Sequence, residues 1–495
     1  MTGSPDLLER TFPAPPDSFE RLTRRRAQRA RTRKITAGAL ALVLVVALVA
    51  ALVGTLARRQ QRSVPLNGPI TPSNVTQLGL LWSSQVGGSM ESAPLVVGDR
   101  VFVLDDTDRL RVYPTTCGSQ ICAPLWVTRL GLPSSWAWGG PVASGDRVYV
   151  PTSSGRLVAF PSTCGSSSSC RRVWSARLGN DMSSASPVIA DGVVYVASDR
   201  PIAGGLIGAF PASCPESPRP CPPLWTGQLP DGFLGSQPVV ANGVVYVGSK
   251  SGRLYAFPTS CADTGGRCAP LWTATTFDPP YATWSRMIAP ILASGSEVFV
   301  PSGSRLYAYP TTCTRSAGAC RPTWVAHTRG WINNLALEGD SVYVASTDGA
   351  LSMLPQSCAR ICAPSWKISG IDGGANPTIA DGVLYVGWMR GVAAFDASCG
   401  RRDGRCTPLW TTPPAVGPVI NFPTVAGGVL YAGAEDGRLY AFAPGGSARL
   451  PGVASASASR GASPWYGVFY GAVLAAIVAF FVIRRRRTAR QASDR

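Results

Sequence analysis

The sequence has very few of the residues on which most metal sites and acid–base enzymes depend. His327 is the only histidine among 495 residues, and charged side chains make up only 15% of the chain. HExxH motifs, nucleophile elbows, phosphate-binding loops and a GxGxxG motif in its proper context are all missing. The enzyme classes that use these motifs are therefore not indicated, and His327 is interpreted as a surface or packed imidazole.

Long polar helical stretches are also missing. Glycine and proline are frequent instead, with 53 and 43 residues, and hydrophobic residues make up 45% of the chain. This composition favours many short strands joined by turns. The length suits one large domain or a few small ones.

The net charge of +18 is concentrated near the two ends of the chain. Residues 1–34 contribute +5, residues 35–62 contribute +3 and residues 484–495 contribute +5, which leaves +5 for residues 63–483. Because the central region is almost neutral, it offers no basic face, and we expect no nucleic-acid partner. The Pro- and Arg-rich tail 1–34 is expected to be disordered and to lie against anionic lipid.

Two apolar segments flank the central region. Residues 35–57 and residues 464–483 each contain about twenty uncharged residues, enough to cross a hydrocarbon core of ~30 Å. Eight basic residues in 21–34 and the run Arg484–Arg487 predict that both termini are cytoplasmic. The sequence therefore predicts a cell-membrane protein whose residues 58–463 are extracellular.

Two other interpretations of these segments stay open. Residues 35–57 could be a signal peptide that is cleaved, although such peptides have apolar runs of only ~7–15 residues. The C-terminal apolar segment with its arginines also resembles a sortase wall-sorting signal, but LPGVA at 450–454 lacks the Thr and Gly of LPxTG. A signal anchor and a C-terminal transmembrane helix fit the sequence better.

All fourteen cysteines fall into local pairs, and a tryptophan follows each pair. The pairs are Cys117 and Cys122, Cys164 and Cys170, Cys214 and Cys221, Cys261 and Cys268, Cys313 and Cys320, Cys358 and Cys362, and Cys399 and Cys406. Four residues after each second cysteine stand Trp126, Trp174, Trp225, Trp272, Trp324, Trp366 and Trp410. These tryptophans are 42 to 52 residues apart, a period typical of repeat architectures.

Each repeat is predicted to form four short strands, named A to D. In residues 236–274 they are QPVVA, VVYVGS, RLYAF and PLWTA, with a turn at NG and the cysteine loop between C and D. One such unit every ~47 residues indicates a blade of a β-propeller. Residues 421–446 contain strands A to C only, and LGLLWSSQVG at 78–87, with Trp82 in the repeated position, supplies the missing strand. The sequence therefore predicts an all-β, eight-bladed propeller that closes through its N-terminal strand.

The predicted organisation has seven parts. In chain order they are a cytoplasmic basic tail (1–34), a transmembrane helix (35–57), a linker (58–77), the extracellular propeller (78–446), a Gly/Ala/Ser linker (447–463), a second transmembrane helix (464–483) and a cytoplasmic basic tail (484–495).

The cysteine pairs are predicted to be disulfides rather than metal ligands. An extracellular position is oxidising, and each pair lies across a C–D hairpin where the chain returns on itself. Zinc sites usually need four ligands, and seven pairs with one histidine do not divide into such sites. None of the pairs is a CxxC redox motif. Each bond should stabilise its hairpin by ~2–2.5 kcal/mol, and the eight tryptophans, Trp82 included, should dock adjacent blades.

The repeat resembles the pyrroloquinoline-quinone (PQQ) type of propeller repeat. The family pattern VYVGSxDGxLYAxDxxTGxxLW is seen in VVYVGSKSGRLYAF…PLW at 244–272 and in VLYAGAEDGRLYAF at 429–442. The resemblance covers residues 78–446 and departs between strands C and D, where cysteine loops replace a short turn. It implies either a bacterial, cofactor-free scaffold or sensor at the cell envelope, or a dehydrogenase that uses PQQ and calcium.

The residues favour the scaffold. No two cysteines are adjacent, as they are beside the quinone in many enzymes of the family, and no residue matches a calcium ligand or the catalytic Asp. We therefore expect no catalytic residue, no metal and no cofactor. The predicted function is a non-catalytic binding or scaffold module for an extracellular protein or a cell-envelope glycan, and the dehydrogenase and a carbohydrate-binding sensor are the alternatives.

A ligand site, if there is one, is expected where the connections from strand D to the next strand A meet at one mouth of the central channel. The candidate residues are Trp136, Trp138, Trp284, Arg286, Trp331, Asn333, Asn376 and Asn421. Asn334 and Trp388 should face the same mouth. Aromatic faces with a few amides suit a planar ligand or a sugar; the alternative is that these side chains fill the channel as core.

One acidic turn also stands out. Asp105, Asp106 and Asp108 in LDDTDRL resemble the start of a calcium loop, but the glycine and the distal glutamate of such a loop are missing. We interpret the segment as a polar turn between two strands.

Overall fold

The computed structural model describes the central part of the chain. The described ranges are 68–90, 92–130, 139–152, 154–164, 170–179, 186–199, 204–215, 220–232, 237–249, 251–261, 266–276, 289–313, 320–371, 376–400, 406–419 and 421–448. Both predicted transmembrane segments and both tails lie outside them. In these ranges the structure contains no helix that is long and apolar enough to span a membrane.

Eight sheets form the eight predicted blades, each with four antiparallel strands, and two of the sheets gain a short fifth strand from the next blade. The chain enters through a short 3-10 turn (Val75–Gln77) and strand β1 (Leu78–Gln85), which belongs to the last blade. Runs such as VVYV form strands that are buried on both faces because each blade packs between two others. The fold predicted from the repeat is therefore confirmed.

The strands of blades 1 to 4 alternate with tight turns. They are β2 (Leu95–Val97), β3 (Arg100–Leu104), β4 (Arg109–Pro114) and β5 (Trp126–Arg129) in blade 1; β6 (Val142–Ser144), β7 (Arg147–Pro151), β8 (Arg156–Pro161) and β9 (Trp174–Arg177) in blade 2; β10 (Val188–Ala190), β11 (Val193–Ser198), β12 (Gly205–Pro211) and β13 (Trp225–Leu229) in blade 3; and β14 (Val239–Ala241), β15 (Val244–Gly248), β16 (Arg253–Pro258) and β18 (Trp272–Thr275) in blade 4. A two-residue strand, β17 (Arg267–Cys268), precedes β18.

Blades 5 to 8 follow the same order. They are β19 (Leu292–Ser294), β20 (Glu297–Ser302), β21 (Arg305–Pro310) and β22 (Trp324–His327) in blade 5; β23 (Ile332–Glu338), β24 (Ser341–Ser346), β25 (Ala350–Pro355) and β27 (Trp366–Ser369) in blade 6; β28 (Asn376–Ala380), β29 (Val383–Trp388), β30 (Gly391–Asp396) and β31 (Trp410–Thr411) in blade 7; and β32 (Thr424–Ala426), β33 (Val429–Gly433), β34 (Arg438–Pro444) and β1 in blade 8. A second two-residue strand, β26 (Ile361–Cys362), precedes β27.

Strand β1 closes the ring. It pairs with β34 from Leu78 opposite Pro444 to Gln85 opposite Arg438. The first strand of the propeller is thus the outer strand of its last blade, as the sequence predicted, and no blade is left with three strands.

The core lies between blades and is built around the repeated tryptophans. In seven blades the ring of the strand-D tryptophan lies 5.8–6.2 Å from the Tyr or Phe ring of strand B in the same blade. In five interfaces the same ring lies 5.4–6.5 Å from an aromatic ring on strand C of the next blade. Contact on both sides joins one blade to the next through each indole.

All seven predicted cysteine pairs are disulfides, with Cα atoms 5.3–6.2 Å apart. The bonds join Cys117 to Cys122, Cys164 to Cys170, Cys214 to Cys221, Cys261 to Cys268, Cys313 to Cys320, Cys358 to Cys362, and Cys399 to Cys406. The pairing predicted from the sequence is therefore confirmed.

The position of the cysteines differs from the expected one, because they do not face each other across the ladder of strands C and D. The second cysteine lies outside every strand in five blades, at Cys122, Cys170, Cys221, Cys320 and Cys406. In the other two blades it lies in one of the two-residue strands, at Cys268 and Cys362. The ladder of strands C and D ends before the cysteine loop, since the strand-D tryptophan is its last partner in each of the seven blades that have such a loop.

The disulfides instead pack between blades. Each bond from blade 2 to blade 7 lies in the apolar cluster that it shares with the tryptophan of the preceding blade. The second cysteine is buried in blades 1 to 6, with at most 7% of its surface exposed. The disulfides therefore belong to the interfaces between blades as well as to their own hairpins.

The cysteine loops also reach the outer edge of the preceding blade. β17 runs parallel to β13 of blade 3, and β26 runs parallel to β22 of blade 5. The amide of Thr226 donates to the carbonyl oxygen of Gly266 at 2.7 Å, and the amide of Val325 donates to that of Arg360 at 3.1 Å. A short fifth strand thus covers an edge that would otherwise be open.

The interface between blades 7 and 8 is filled differently because blade 8 has no cysteine loop. Ile70 and Val75 are fully buried there, and the indole Nε1 of Trp410 donates to the carbonyl oxygen of Leu78 at 3.0 Å. Residues 68–77, which the sequence assigned to a linker, are therefore part of the propeller. At the other end Ala448 donates its amide to the carbonyl oxygen of Leu80 at 2.8 Å, so the propeller extends past residue 446.

Candidate functional site

The D–A connections and the B–C turns lie at the same face of the ring. In blade 1, for example, the amide of Leu130, at the end of strand D, donates to the carbonyl oxygen of Asp108 in the B–C turn at 2.9 Å. Four of the eight candidate residues lie outside the described ranges: Trp136, Trp138, Trp284 and Arg286. Trp331, Asn333, Asn376 and Asn421 are described, and all four belong to blades 6 to 8.

Four asparagines lie at the starts of blades 6 to 8, and we call them the amide seam (Asn333, Asn334, Asn376 and Asn421). Asn334 and Asn376 hold the same position at the start of strand A in blades 6 and 7, and the Nδ2 of Asn334 donates to the Oδ1 of Asn376. The side chains thus join two neighbouring blades at the wall of the channel. Nothing in the spacing of the sequence predicted this pair, because it forms only when the ring is closed.

Asn333 owes its position to a β-bulge. The register of β23 with β24 shifts between Ile332 and Asn334, so Asn333 is the extra residue. Bulges re-aim a side chain and are frequent beside functional sites. The Oδ1 of Asn333 is buried and has no hydrogen-bond partner among the described residues.

Asn421 continues the seam towards blade 1. Its Nδ2 donates to the carbonyl oxygens of Met90 at 2.9 Å and Ser92 at 3.3 Å, while its Oδ1 is buried without a partner. A Cβ atom at Gly387, the ladder partner of Asn376, would stand 2.7 Å from the carbonyl oxygen of Asn421. Only glycine allows this approach, which brings blades 7 and 8 together at the seam.

Two tryptophans flank the seam. Trp388 ends strand B of blade 7, its Nε1 is buried without a partner, and the guanidinium carbon of Arg390 lies 5.4 Å from its ring centroid. Trp331 is 49% exposed, and its amide and carbonyl groups bond to Thr347 in the B–C turn of blade 6. The described part of the mouth thus combines amides, one orphaned indole N–H and one open aromatic face.

The negative charge beside Trp331 is neutralised. Burial would raise the pKa of Asp348, beside Trp331, but a hydrogen bond from Ser346 and the ammonium of Lys367 at 3.6 Å outweigh it and lower that pKa. Asp348 therefore remains an ionised partner of Lys367, and the seam itself carries no formal charge.

The acidic turn of blade 1 is a structured turn, as expected. The carboxylate of Asp105 accepts from the amides of Thr107 and Arg109 and from the Nε of Arg111 at 3.0 Å. Asp108 has a positive φ of 58° and is 1% exposed, and no described residue donates a hydrogen bond to either of its carboxylate oxygens. Burial, and secondarily the charge of Asp105, raise the pKa of Asp108 to about 6. In the described ranges no group of three or more His, Cys, Asp or Glu residues could hold a metal ion.

A second surface, not predicted from the sequence, lies at the opposite face. Four of the six exposed large hydrophobic side chains among the described residues lie in the cysteine loops, and we call them the cysteine-loop apolar positions: Ile121 (65% exposed), Leu125 (46%), Leu224 (51%) and Ile361 (76%). The apolar residues that precede the repeated tryptophans were visible in the sequence. They cannot be told apart from the residues of a buried strand unless the loop is known to face outwards.

Comparison with known proteins agrees with the fold. The family model described as outer membrane protein assembly factor BamB matches residues 76–258. BamB from Moraxella catarrhalis is 17% identical with a TM-score of 0.52, covering 74% of this chain and 97% of that one. Quinohemoprotein alcohol dehydrogenase from Comamonas testosteroni is 14% identical with a TM-score of 0.56, covering 78% and 80%. The computationally designed Ika8 protein is 12% identical with a TM-score of 0.54, covering 74% and 100%.

No curated protein sequence matches the chain. At these identities the solved structures show the fold alone, an eight-bladed β-propeller. Together with the family match over residues 76–258 they agree with the repeat pattern, which is similar to the PQQ-like β-propeller repeat.

Proposed function

We propose that the chain is a non-catalytic binding or scaffold propeller, held at the cell membrane by a helix at each end, that contacts a protein partner outside the cell. The observation that carries the proposal is the match of residues 76–258 to a family model whose description is an assembly factor. Contiguous patches of exposed apolar side chains mark protein–protein contact surfaces. The cysteine-loop apolar positions supply single exposed side chains in blades 1, 3 and 6, and they are the positions at which we test for such contact.

Site-specific photo-crosslinking in living cells tests the proposal. A photoreactive residue in place of Leu224 or Ile361 should give discrete adducts with the same partner protein. Met389, which is 44% exposed in a B–C turn on the opposite face, is the matched control and should give no such adduct. Absence of adducts at both cysteine-loop positions, or equal adducts at Met389, would contradict the proposal.

The membrane arrangement has its own test. Reporter fusions after residue 495 should be active for a cytoplasmic reporter and inactive for one that requires export, since Arg484–Arg487 would hold the C terminus inside. The reverse pattern would refute the proposed topology without affecting the partner proposal.

The alternative function is a PQQ- and calcium-dependent dehydrogenase. The described residues do not assemble a set of calcium ligands, so we derive no catalytic step. Calorimetric titration of the purified full-length chain with PQQ, with and without Ca²⁺, separates the two functions. Saturable, calcium-dependent binding would favour the dehydrogenase, and no binding at tens of micromolar would favour the binding module.

A further inference from the structure

The amide seam contains polar atoms that no described residue satisfies. The Oδ1 atoms of Asn333 and Asn421 and the Nε1 of Trp388 are buried, and none of the three has a hydrogen-bond partner in the described ranges. Most buried polar side-chain atoms in folded proteins are hydrogen-bonded, and each exception needs a reason. These three atoms lie in one sector of the channel mouth, which makes this sector the candidate place for a ligand that would complete their bonds.

The three atoms belong to one connected place. Asn333 is next to Asn334, which bonds to Asn376, and Asn376 pairs with Gly387 beside Trp388. Gly387 in turn lies against the backbone of Asn421. The orphaned atoms therefore come from three successive blades along a single chain of contacts, and Trp331, two residues before Asn333, adds a half-exposed ring.

The chemistry of these atoms selects an uncharged ligand with hydroxyl groups. Two amide oxygens require donors and one indole N–H requires an acceptor, and a hydroxyl group can serve as either. An anion would meet the amide oxygens unfavourably, and a cation would meet the indole N–H and Arg390. A peptide usually binds along one strand edge, whereas these atoms are spread over three blades.

We propose that the amide seam, with Trp331, is a binding site for a neutral sugar chain, in which ring hydroxyls bond to Asn333, Asn421 and Trp388 and a sugar face lies against Trp331. This site is at the opposite face from the cysteine-loop apolar positions and does not depend on the protein partner proposed above. A propeller with both sites would connect an envelope glycan with a protein.

The test is calorimetric titration of the purified full-length chain with four neutral tetrasaccharides, made of β-1,4-linked N-acetylglucosamine, β-1,4-linked glucose, α-1,4-linked glucose or β-1,4-linked mannose. At least one should bind saturably at millimolar concentration or below. Asn333→Ala and Trp331→Ala should each weaken that binding about tenfold or more, because each removes one direct contact. Ile361→Ala, on the opposite face, should leave it unchanged.

Three results would overturn the proposal. They are no binding of any tetrasaccharide up to about 10 mM, equal binding by Trp331→Ala and the unmodified chain, and binding of a Gly/Ser-rich peptide in place of every sugar. Trp331 is half exposed, so its truncation leaves the core intact. Its result therefore stands even if Asn333→Ala misfolds.

Discussion

Asp108 occupies a turn position that other blades give to glycine. Gly204, Gly349 and Gly437 have φ values of 76°, 73° and 73° at the equivalent place, and Asp108 has 58°. Asparagine and aspartate tolerate this region better than other side chains do. The cost at Asp108 is therefore electrostatic, since a buried carboxylate has no donor to stabilise its charge.

We predict that Asp108→Asn stabilises the protein at neutral pH. The pKa rises from 3.8 to about 6 on folding, so the folded state binds this proton more tightly than the unfolded chain. Stability from this group is highest below about pH 4, falls as the pH rises to about 6 and stays low above it. The variant should gain on the order of 2 kcal/mol at pH 7 and nothing at pH 4.

Thermal unfolding at both pH values measures this difference. Asp99→Asn is the control, because the carboxylate of Asp99 is 85% exposed and its removal should change neither midpoint appreciably. An Asp108→Asn midpoint equal to that of the unmodified chain at pH 7 would show that the carboxylate is stabilised by a group not yet recognised.

The repeated tryptophans are not equivalent at the level of single atoms. Trp82, Trp225, Trp324 and Trp410 donate their Nε1 proton to a carbonyl oxygen near the next blade, whereas the Nε1 atoms of Trp126, Trp174, Trp272 and Trp366 are buried without a partner. Trp324→Phe should therefore cost about 1 kcal/mol more than Trp272→Phe. Chemical denaturation of the two variants measures the difference, and equal losses would mean that packing alone determines the role of these rings.

The cysteine loop is the element that differs most from its prediction. Its disulfide was expected to hold one hairpin, and the structure shows that the loop also covers the edge of the preceding blade. A two-residue parallel contact leaves no periodic signal in the sequence. It arises only when two blades are side by side.

Removal of one disulfide should therefore weaken the backbone hydrogen bond at the edge of the preceding blade. In a Cys261→Ser/Cys268→Ser variant the amide of Thr226 should exchange its hydrogen faster, because it donates to Gly266 within the loosened loop. The amide of Val325, held by the loop of blade 6, should be unaffected. The Cys358→Ser/Cys362→Ser variant should show the opposite pattern.

Hydrogen exchange followed by mass spectrometry of both variants gives a reciprocal comparison. The disulfide model of chain entropy predicts a loss of ~2–2.5 kcal/mol for either bond. Faster exchange limited to the altered blade's own hairpin would show that the loop is not needed at the neighbouring edge.

The strands themselves could be predicted well because the same letters recur eight times. Alternating apolar runs, Asp-Gly or Asn-Gly turns and a fixed tryptophan each define one blade, and the incomplete eighth unit predicted the closure by β1. The candidate site could be predicted only in part. Asn376 and Asn421 were identified from their connections, but the bulge at Asn333 and the bond from Asn334 depend on distances between blades that sequence spacing does not encode.

At the scale of the whole molecule, residues 68–77 take the place of the missing eighth cysteine loop. Ile70 and Val75 are fully buried between blades 7 and 8. Deletion of residues 1–66 should leave the unfolding midpoint of the propeller unchanged, whereas deletion of residues 1–77 should lower the free energy of unfolding by about 4 kcal/mol. Calorimetric scans of the two truncated chains, with the full chain as reference, test this boundary. Equal unfolding midpoints would show that residues 68–77 are a linker and not part of the propeller.

The pairing of the first strand with the last blade also determines the order of folding events. Gln85 and Gly437, which meet where the ring closes, are 352 residues apart in the chain. At a synthesis rate of ~5–20 residues per second, roughly 20 to 70 s pass between the appearance of the first and that of the second. During that time Trp82 has only blade 1 as a partner, and the edge of β1 that pairs with β34 is open. The molecule must therefore form most of its disulfides, or be kept from aggregating, before its first strand can complete the last blade.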